Sequence, residues 1–178
     1  MRSRLEALYA FVAGSGLILG LAACGIVASV ELIFGAPASV QLMAISFLCT
    51  VSIYSMNRVL EIDKDSMADS GQAWFFVRNR MALLAFSALM FGSAIVLSAL
   101  QNLLVTAIVA VYLAVVILYS KDLMKPGQSK KSSRLKDYIC LKPTIVAACW
   151  ALLVPLSVAY HGIAVSLPAI VLMIVVFI

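Results

Sequence analysis

Charge is what this sequence has least of. Only 12% of its 178 residues are charged, 64% are hydrophobic, and the mean hydropathy is +1.10. A soluble domain cannot hide that much apolar surface, so the composition implies a polytopic membrane protein. Glu31 is the sole charge between Ala7 and Asn57, and Met81 to Ser120 contains none. A transporter is expected to place ionisable groups near mid-membrane, and such groups are scarce here. The four cysteines, Cys24, Cys49, Cys140 and Cys149, form no CxxC pair and read as small apolar side chains rather than metal ligands or disulfides. The single histidine, His161, reads as a turn residue on the outer side, away from the acids. There is no Ser-His-Asp arrangement, no Gly-rich phosphate loop and no nucleic-acid signature.

What is present divides into apolar runs and two hydrophilic segments. Gly35 to Ser39, read as GAPAS, separates a first span at Leu8 to Ile33 from a second at Val40 to Asn57. Ala36-Pro37-Ala38 mimics a signal cleavage site, but the preceding apolar region far exceeds the ~7–15 residues of a signal core. Gly16 and Gly20 make a GxxxG pattern, read as a small-residue face inside a single-chain bundle. Gln101-Asn102 splits Met81 to Ser120 into two spans that should be antiparallel neighbours. A fifth span, with Pro143 in its first turn, runs to Tyr160, and a sixth begins at Ile163.

The basic residues are segregated. The thirteen Lys and Arg divide as two before the first span, four from Arg58 to Arg80 and seven from Lys121 to Lys142. The connections at Gly35, Gln101 and His161 carry none. Positive segments stay cytoplasmic, so six spans with the N-terminus inside satisfy every basic residue at once. Trp74, Phe75 and Phe76 then lie at headgroup level, and Ser133 can cap a short helix through Tyr138.

The chain is organised around Tyr54 to Asp69, YSMNRVLEIDKDSMAD, which holds four of its eight acids. Acids at the mouth of a span are a functional-site signal, because charge near hydrocarbon is expensive. Asn57, Glu61 and Asp65 recur every four residues and share one helical face, while Asp63 points the other way. Asp69 extends the spacing only if the helix continues that far. Three oxygen-bearing side chains in a row suit Mg²⁺, which takes carboxylate, water and substrate phosphate together. Lys and Arg of the basic loop suit phosphate oxygens, although attraction to anionic lipid explains such a loop equally simply.

Asn57-x-x-x-Glu61-x-x-x-Asp65 after the second span resembles the first aspartate-rich motif, NxxxDxxxD, of UbiA-type intramembrane prenyltransferases. Leu118-Tyr119-Ser120 ending the fourth span, and Arg134-Leu-Lys-Asp-Tyr followed by Lys142, are similar to further features of that family. The resemblance covers nearly the whole chain. It implies an all-α membrane bundle, the first six of nine helices, around a lipid-accessible cavity. It implies Mg²⁺-dependent transfer of a polyprenyl group from its diphosphate to an aromatic or other lipophilic acceptor. By resemblance, Asn57, Glu61 and Asp65 hold Mg²⁺; Asn57, Arg78, Arg80 and Lys142 contact the diphosphate; Tyr119 lies near the reacting end. Glu61 stands where Asp is usual, and Arg58 where many members carry Asp. No acid follows Asp137, so the family's second acidic motif has no counterpart here. Residues 1–178 are therefore expected to be a single transmembrane domain, incomplete at its C-terminus and inactive as given. The alternative is a small six-span transporter or scaffold subunit.

Overall fold

The computed structural model of the chain describes residues 9, 11, 12, 14–65, 77–120, 141–164 and 167–177; side chains are described except at 60–65, 116–120, 141–145, 169 and 177. Among the described residues all regular structure is helical: α1 (Leu17–Ile33), α2 (Val40–Asp65), α3 (Arg80–Ala99), α4 (Leu103–Ser120), α5 (Leu141–Ala151), α6 (Leu153–Tyr160) and α7 (Leu167–Phe177). Two helices, Val40–Val59 within α2 and Arg80–Ala99, are long and apolar enough to cross a membrane; Leu17–Ile33, Leu103–Val115 and Val146–Tyr160 are shorter apolar stretches.

Helix α2 is the hub. It touches α1, α3, α4 and α6, and α6 closes the bundle against α1 and α4. No glycine or proline interrupts residues 40–65, so the helix passes from its apolar part into the acidic stretch without a break. The core lies between Ala23 and Val27 of α1, Leu42, Ile45 and Cys49 of α2, Val105 and Val109 of α4, and Leu153 and Leu156 of α6. Serines stitch the helices inside this apolar interior. Ser52 Oγ donates to the Ser87 carbonyl at 2.8 Å while Ser87 Oγ donates to the Ser52 carbonyl at 2.7 Å. Ser55 Oγ donates to the Ser15 carbonyl at 2.8 Å. Such bonds satisfy hydroxyls that would otherwise be stranded, and contribute about 0.6 kcal/mol each between helices in lipid.

Three expected boundaries move. The first run, expected unbroken from Leu8 to Ile33, turns at Ser15 and Gly16 before α1 begins. Gly16 has φ 77°, and a Cβ there would stand 2.6 Å from Tyr54 Cβ. Residues before the turn fold over α2 and α3, with Phe11 packed on the buried Val59 and Leu83. Gly20 lies as close to Phe47 and Val51, so the GxxxG pair is a seat for α2 within the chain, as the small-residue reading expected. The run ending at Tyr160 bends at Leu152, between α5 and α6. Pro155 is the cause, because it removes the N–H that would bond the Ala151 carbonyl and its ring crowds that carbonyl. The helical ladder otherwise continues through Leu152 N–H to Ala148 O and Leu156 N–H to Leu152 O. The last helix starts at Leu167 rather than Ile163, with Pro168 in its first turn where a missing N–H is harmless.

The three uncharged connections meet at one end of the bundle. Gln101 Nε2 donates to the Tyr160 carbonyl, Asn102 Nδ2 to the Ala159 carbonyl, and Ser39 Oγ to the Tyr160 hydroxyl. Two Schellman caps shape this end. Gly35 (φ 63°) closes α1 through Ala36 N–H to Glu31 O, and Gly162 (φ 63°) closes α6 through Ile163 N–H to Val158 O.

Candidate functional site

At the other end of the bundle lies the acidic stripe. Asn57 is the first of its residues and the only one whose side chain is described. It is partly buried, and its Oδ1 is buried with no hydrogen-bond partner among the described residues. A buried carbonyl oxygen left unpaired costs about 1–3 kcal/mol, so a ligand that supplies a positive charge or a donor there gains that much. The face on which Asn57 sits is an interior one. Ile53, one turn earlier, packs on the main core, as do Cys149 and Trp150 of α5. Tyr54, the next residue, is half-buried.

Glu61 and Asp65 are on the same unbroken helix as Asn57, one and two turns further on. Their backbone positions therefore continue the Asn57 stripe. Asp63 is a member of the helix out of phase with them. Asp69, Gln72, Trp74 to Phe76, Ser129 and Ser133 to Tyr138 lie outside the described residues, so neither the extension of the motif nor the short loop helix is addressed.

The basic candidates gather at this end by topology. Helices α2 and α3 are antiparallel neighbours, with Val59 against Leu83. Arg80 opens α3 and Arg78 precedes it; both are exposed, and both make polar interactions, as does Arg58. Lys142 is the second residue of α5, and Tyr119 is the last but one of α4. Tyr119 is seven residues after Tyr112, so by helical phase the two positions share a face of α4. Tyr112 is buried, and its hydroxyl donates to the Cys149 carbonyl at 2.7 Å. The ends of α2, α3 and α4 that carry candidate residues thus lie opposite the uncharged connections.

No group of three or more His, Cys, Asp or Glu side chains that could hold a metal occurs among the described residues, which exclude the side chains of Glu61 and Asp65. The donor types fit Mg²⁺: one amide oxygen that is buried and unpaired, followed in register by two carboxylate positions. Cys24, Cys49 and Cys149 are free thiols.

One reading of the sequence is corrected. His161 is at a turn, but it is not remote from every acid. Its Nε2 lies 2.9 Å from Glu31 Oε1, and the Glu31 side chain is 1% exposed. The clue was Glu31 itself, the single charge in a fifty-residue apolar stretch, at the same end as the only histidine. What hid it is their sequence separation of 130. Comparison of the chain with family models, curated proteins and solved structures gives no match.

Proposed function

We propose that the chain is the UbiA-like part of a multi-pass membrane prenyltransferase, with six spans and the acidic stripe facing the cytoplasm. The observation that carries this reading is Asn57. Its buried, unpaired Oδ1 begins an inward-facing helical stripe that continues through the positions of Glu61 and Asp65. Asn57, Glu61 and Asp65 hold the metal, and Arg78, Arg80 and Lys142 neutralise phosphate oxygens as point charges. Mg²⁺ bound there would stabilise the negative charge that develops on a departing diphosphate. Tyr119 faces the prenyl end, and the apolar interior excludes water from the reacting carbon. The substrates are a polyprenyl diphosphate and a lipophilic acceptor, both reaching the site from the lipid.

Asn57→Leu tests the key residue. Leucine keeps the volume and removes the stranded oxygen, so thermal stability should hold or rise. Mg²⁺-dependent binding of a prenyl diphosphate analogue should weaken about tenfold, equivalent to ~1.4 kcal/mol. Unchanged binding by titration calorimetry in nanodiscs would remove Asn57 from the site.

Topology is tested separately. In a cysteine-free background, cysteines placed at Ser129 and Gln72 should resist an impermeant thiol reagent in intact cells. One at the exposed Ala164 should react. The opposite pattern reverses the orientation.

A transporter or scaffold subunit is the second reading, and the buried Glu31–His161 pair is the observation that favours it. Solute or proton flux through reconstituted protein, lost in Glu31→Gln, would select it over the enzyme.

A further inference from the structure

The uncharged end of the bundle buries an acid without a lysine or arginine beside it. Glu31 has a side chain only 1% exposed. The sequence contains no Lys or Arg from residue 5 to 57, from 81 to 120 or after 142, so the three connections at this end bring none to it. Its Oε1 accepts the Ser39 N–H at 3.0 Å and lies 2.9 Å from His161 Nε2. Its Oε2 is buried with no hydrogen-bond partner among the described residues. A buried carboxylate oxygen is costly to leave unpaired, and a cation that reaches it removes that cost.

Both side chains are held in place. Ser39 caps α2: its Oγ accepts the Leu42 N–H at 3.2 Å and donates to the Tyr160 hydroxyl at 2.9 Å. The N–H that orients the carboxylate is therefore itself fixed. His161 is the C-cap of α6, and its own N–H donates to the Ser157 carbonyl. Its ring meets Tyr160 edge-on, with centroids 5.1 Å apart. The His161 side chain is 12% exposed, so the imidazole touches the surface where the carboxylate does not. An imidazole nitrogen converging on a carboxylate is a mixed nitrogen and oxygen donor set. Zinc takes such sets, whereas Mg²⁺ and Ca²⁺ are held by oxygen alone.

We propose that Glu31 and His161 form a binding site for Zn²⁺ at the uncharged end of the bundle. His161 Nε2 is one ligand, the Glu31 carboxylate is the other, and water completes the coordination. Two ligands of a tetrahedral zinc with arms of about 2.0–2.1 Å stand roughly 3.3 Å apart. The pair at 2.9 Å need open by only a few tenths of an ångström to admit the ion. Oε2 has free lone pairs for the metal, while the Ser39 N–H keeps its hold on Oε1 and orients the carboxylate from outside the coordination shell. The imidazole ligates in its neutral form, so any proton shared between the two groups leaves as zinc enters. Two protein ligands make a weaker site than the four of a structural zinc centre. The site lies opposite the Asn57 end and stands whatever chemistry Asn57 serves.

His161 is the only histidine, so its ring can be followed alone. The test titrates Zn²⁺, with Mg²⁺ in excess, into the untagged full chain in nanodiscs, labelled with nitrogen-15 histidine. Zn²⁺ should move the Nε2 resonance far more than that of Nδ1 and saturate at one ion per chain. Glu31→Gln keeps an oxygen for the Ser39 N–H and removes the charge, so it should need at least about tenfold more Zn²⁺ for the same change. Glu31→Asp draws the carboxylate back by one methylene and should behave alike, which keeps the test open if the first variant does not fold. Calorimetry should find one Zn²⁺ fewer bound to His161→Gln than to the native chain. An Nε2 resonance that Zn²⁺ leaves unmoved overturns the site. So does an unchanged response in the Glu31 variants, because the ion is then adventitious and held by a surface imidazole alone.

Discussion

Glu61→Gln and Asp65→Asn are each expected to weaken Mg²⁺-dependent binding of a prenyl diphosphate analogue by about 2–4 kcal/mol, the range for one electrostatic contributor to a preorganised site. Gln and Asn keep an oxygen near the same place, so the substitutions remove charge and leave shape. Asp63→Asn is the internal control. The unbroken course of α2 from Val40 to Asp65 keeps residues 57, 61 and 65 in phase and turns residue 63 away. The control should change by less than about 0.5 kcal/mol, as an exposed substitution normally does. The measurement is titration of the analogue with and without Mg²⁺ in nanodiscs. Equal losses at all three positions would mean a diffuse negative field rather than a coordinating stripe. No loss at Glu61 or Asp65 would leave the acids as a solvated helix end and withdraw the main chemical support for prenyl transfer.

Gly16→Ala should be the most damaging single-methyl substitution in the described chain. Its φ of 77° is a left-handed conformation, which costs a residue with a Cβ about 1–2 kcal/mol. The added Cβ would also meet Tyr54 Cβ at 2.6 Å, close to the helix backbone, where no rotamer change relieves it. Overpacking of that kind costs about 1–3 kcal/mol. Together they lower the melting temperature by about 5–20 °C, at ~2–4 °C per kcal/mol for a chain of this size. Gly25→Ala is the matched control on the same helix. Nothing lies within 4 Å of its added Cβ, and alanine is the better helix former, so it should be neutral or stabilising by up to about 1 kcal/mol. Comparable losses at both positions would show that the loss at Gly16 comes neither from its left-handed conformation nor from its approach to Tyr54. The position also bears on the site, because Tyr54 lies one turn before Asn57 on α2.

Parts of this were legible without coordinates. The charge-free connections at Gly35, Gln101 and His161 were expected on one side, and the turns there do come together through Ser39, Gln101, Asn102 and Tyr160. The signal was strong because lysine and arginine distribute with the topology of a bundle, not with local propensity. The break at Leu152 was not expected, although Pro155, which removes one N–H from the ladder, gave a local sign of it. Other features gave no local sign. Gly16 lies in an apolar run that is compatible with helix throughout, and its left-handed turn sets it against Tyr54, thirty-eight residues on. Asn57 was readable as part of a motif, but not as a buried oxygen without a partner, because burial depends on what packs around α2.

By itself the sequence determined an all-helical chain, the separation of charged from uncharged connections and the four-residue phase of Asn57, Glu61 and Asp65. Each of these follows from composition or from the pitch of one helix, and neither needs knowledge of neighbours. Only the tertiary structure decided that the stripe faces inward at Asn57, that the first apolar run turns at Gly16 to seat α2, and that Glu31 meets His161. Those outcomes depend on which residues distant in sequence share a level of the bundle. The sequence of one helix does not specify that level, and contacts such as Ser52 with Ser87 and Glu31 with His161 join residues far apart in the chain.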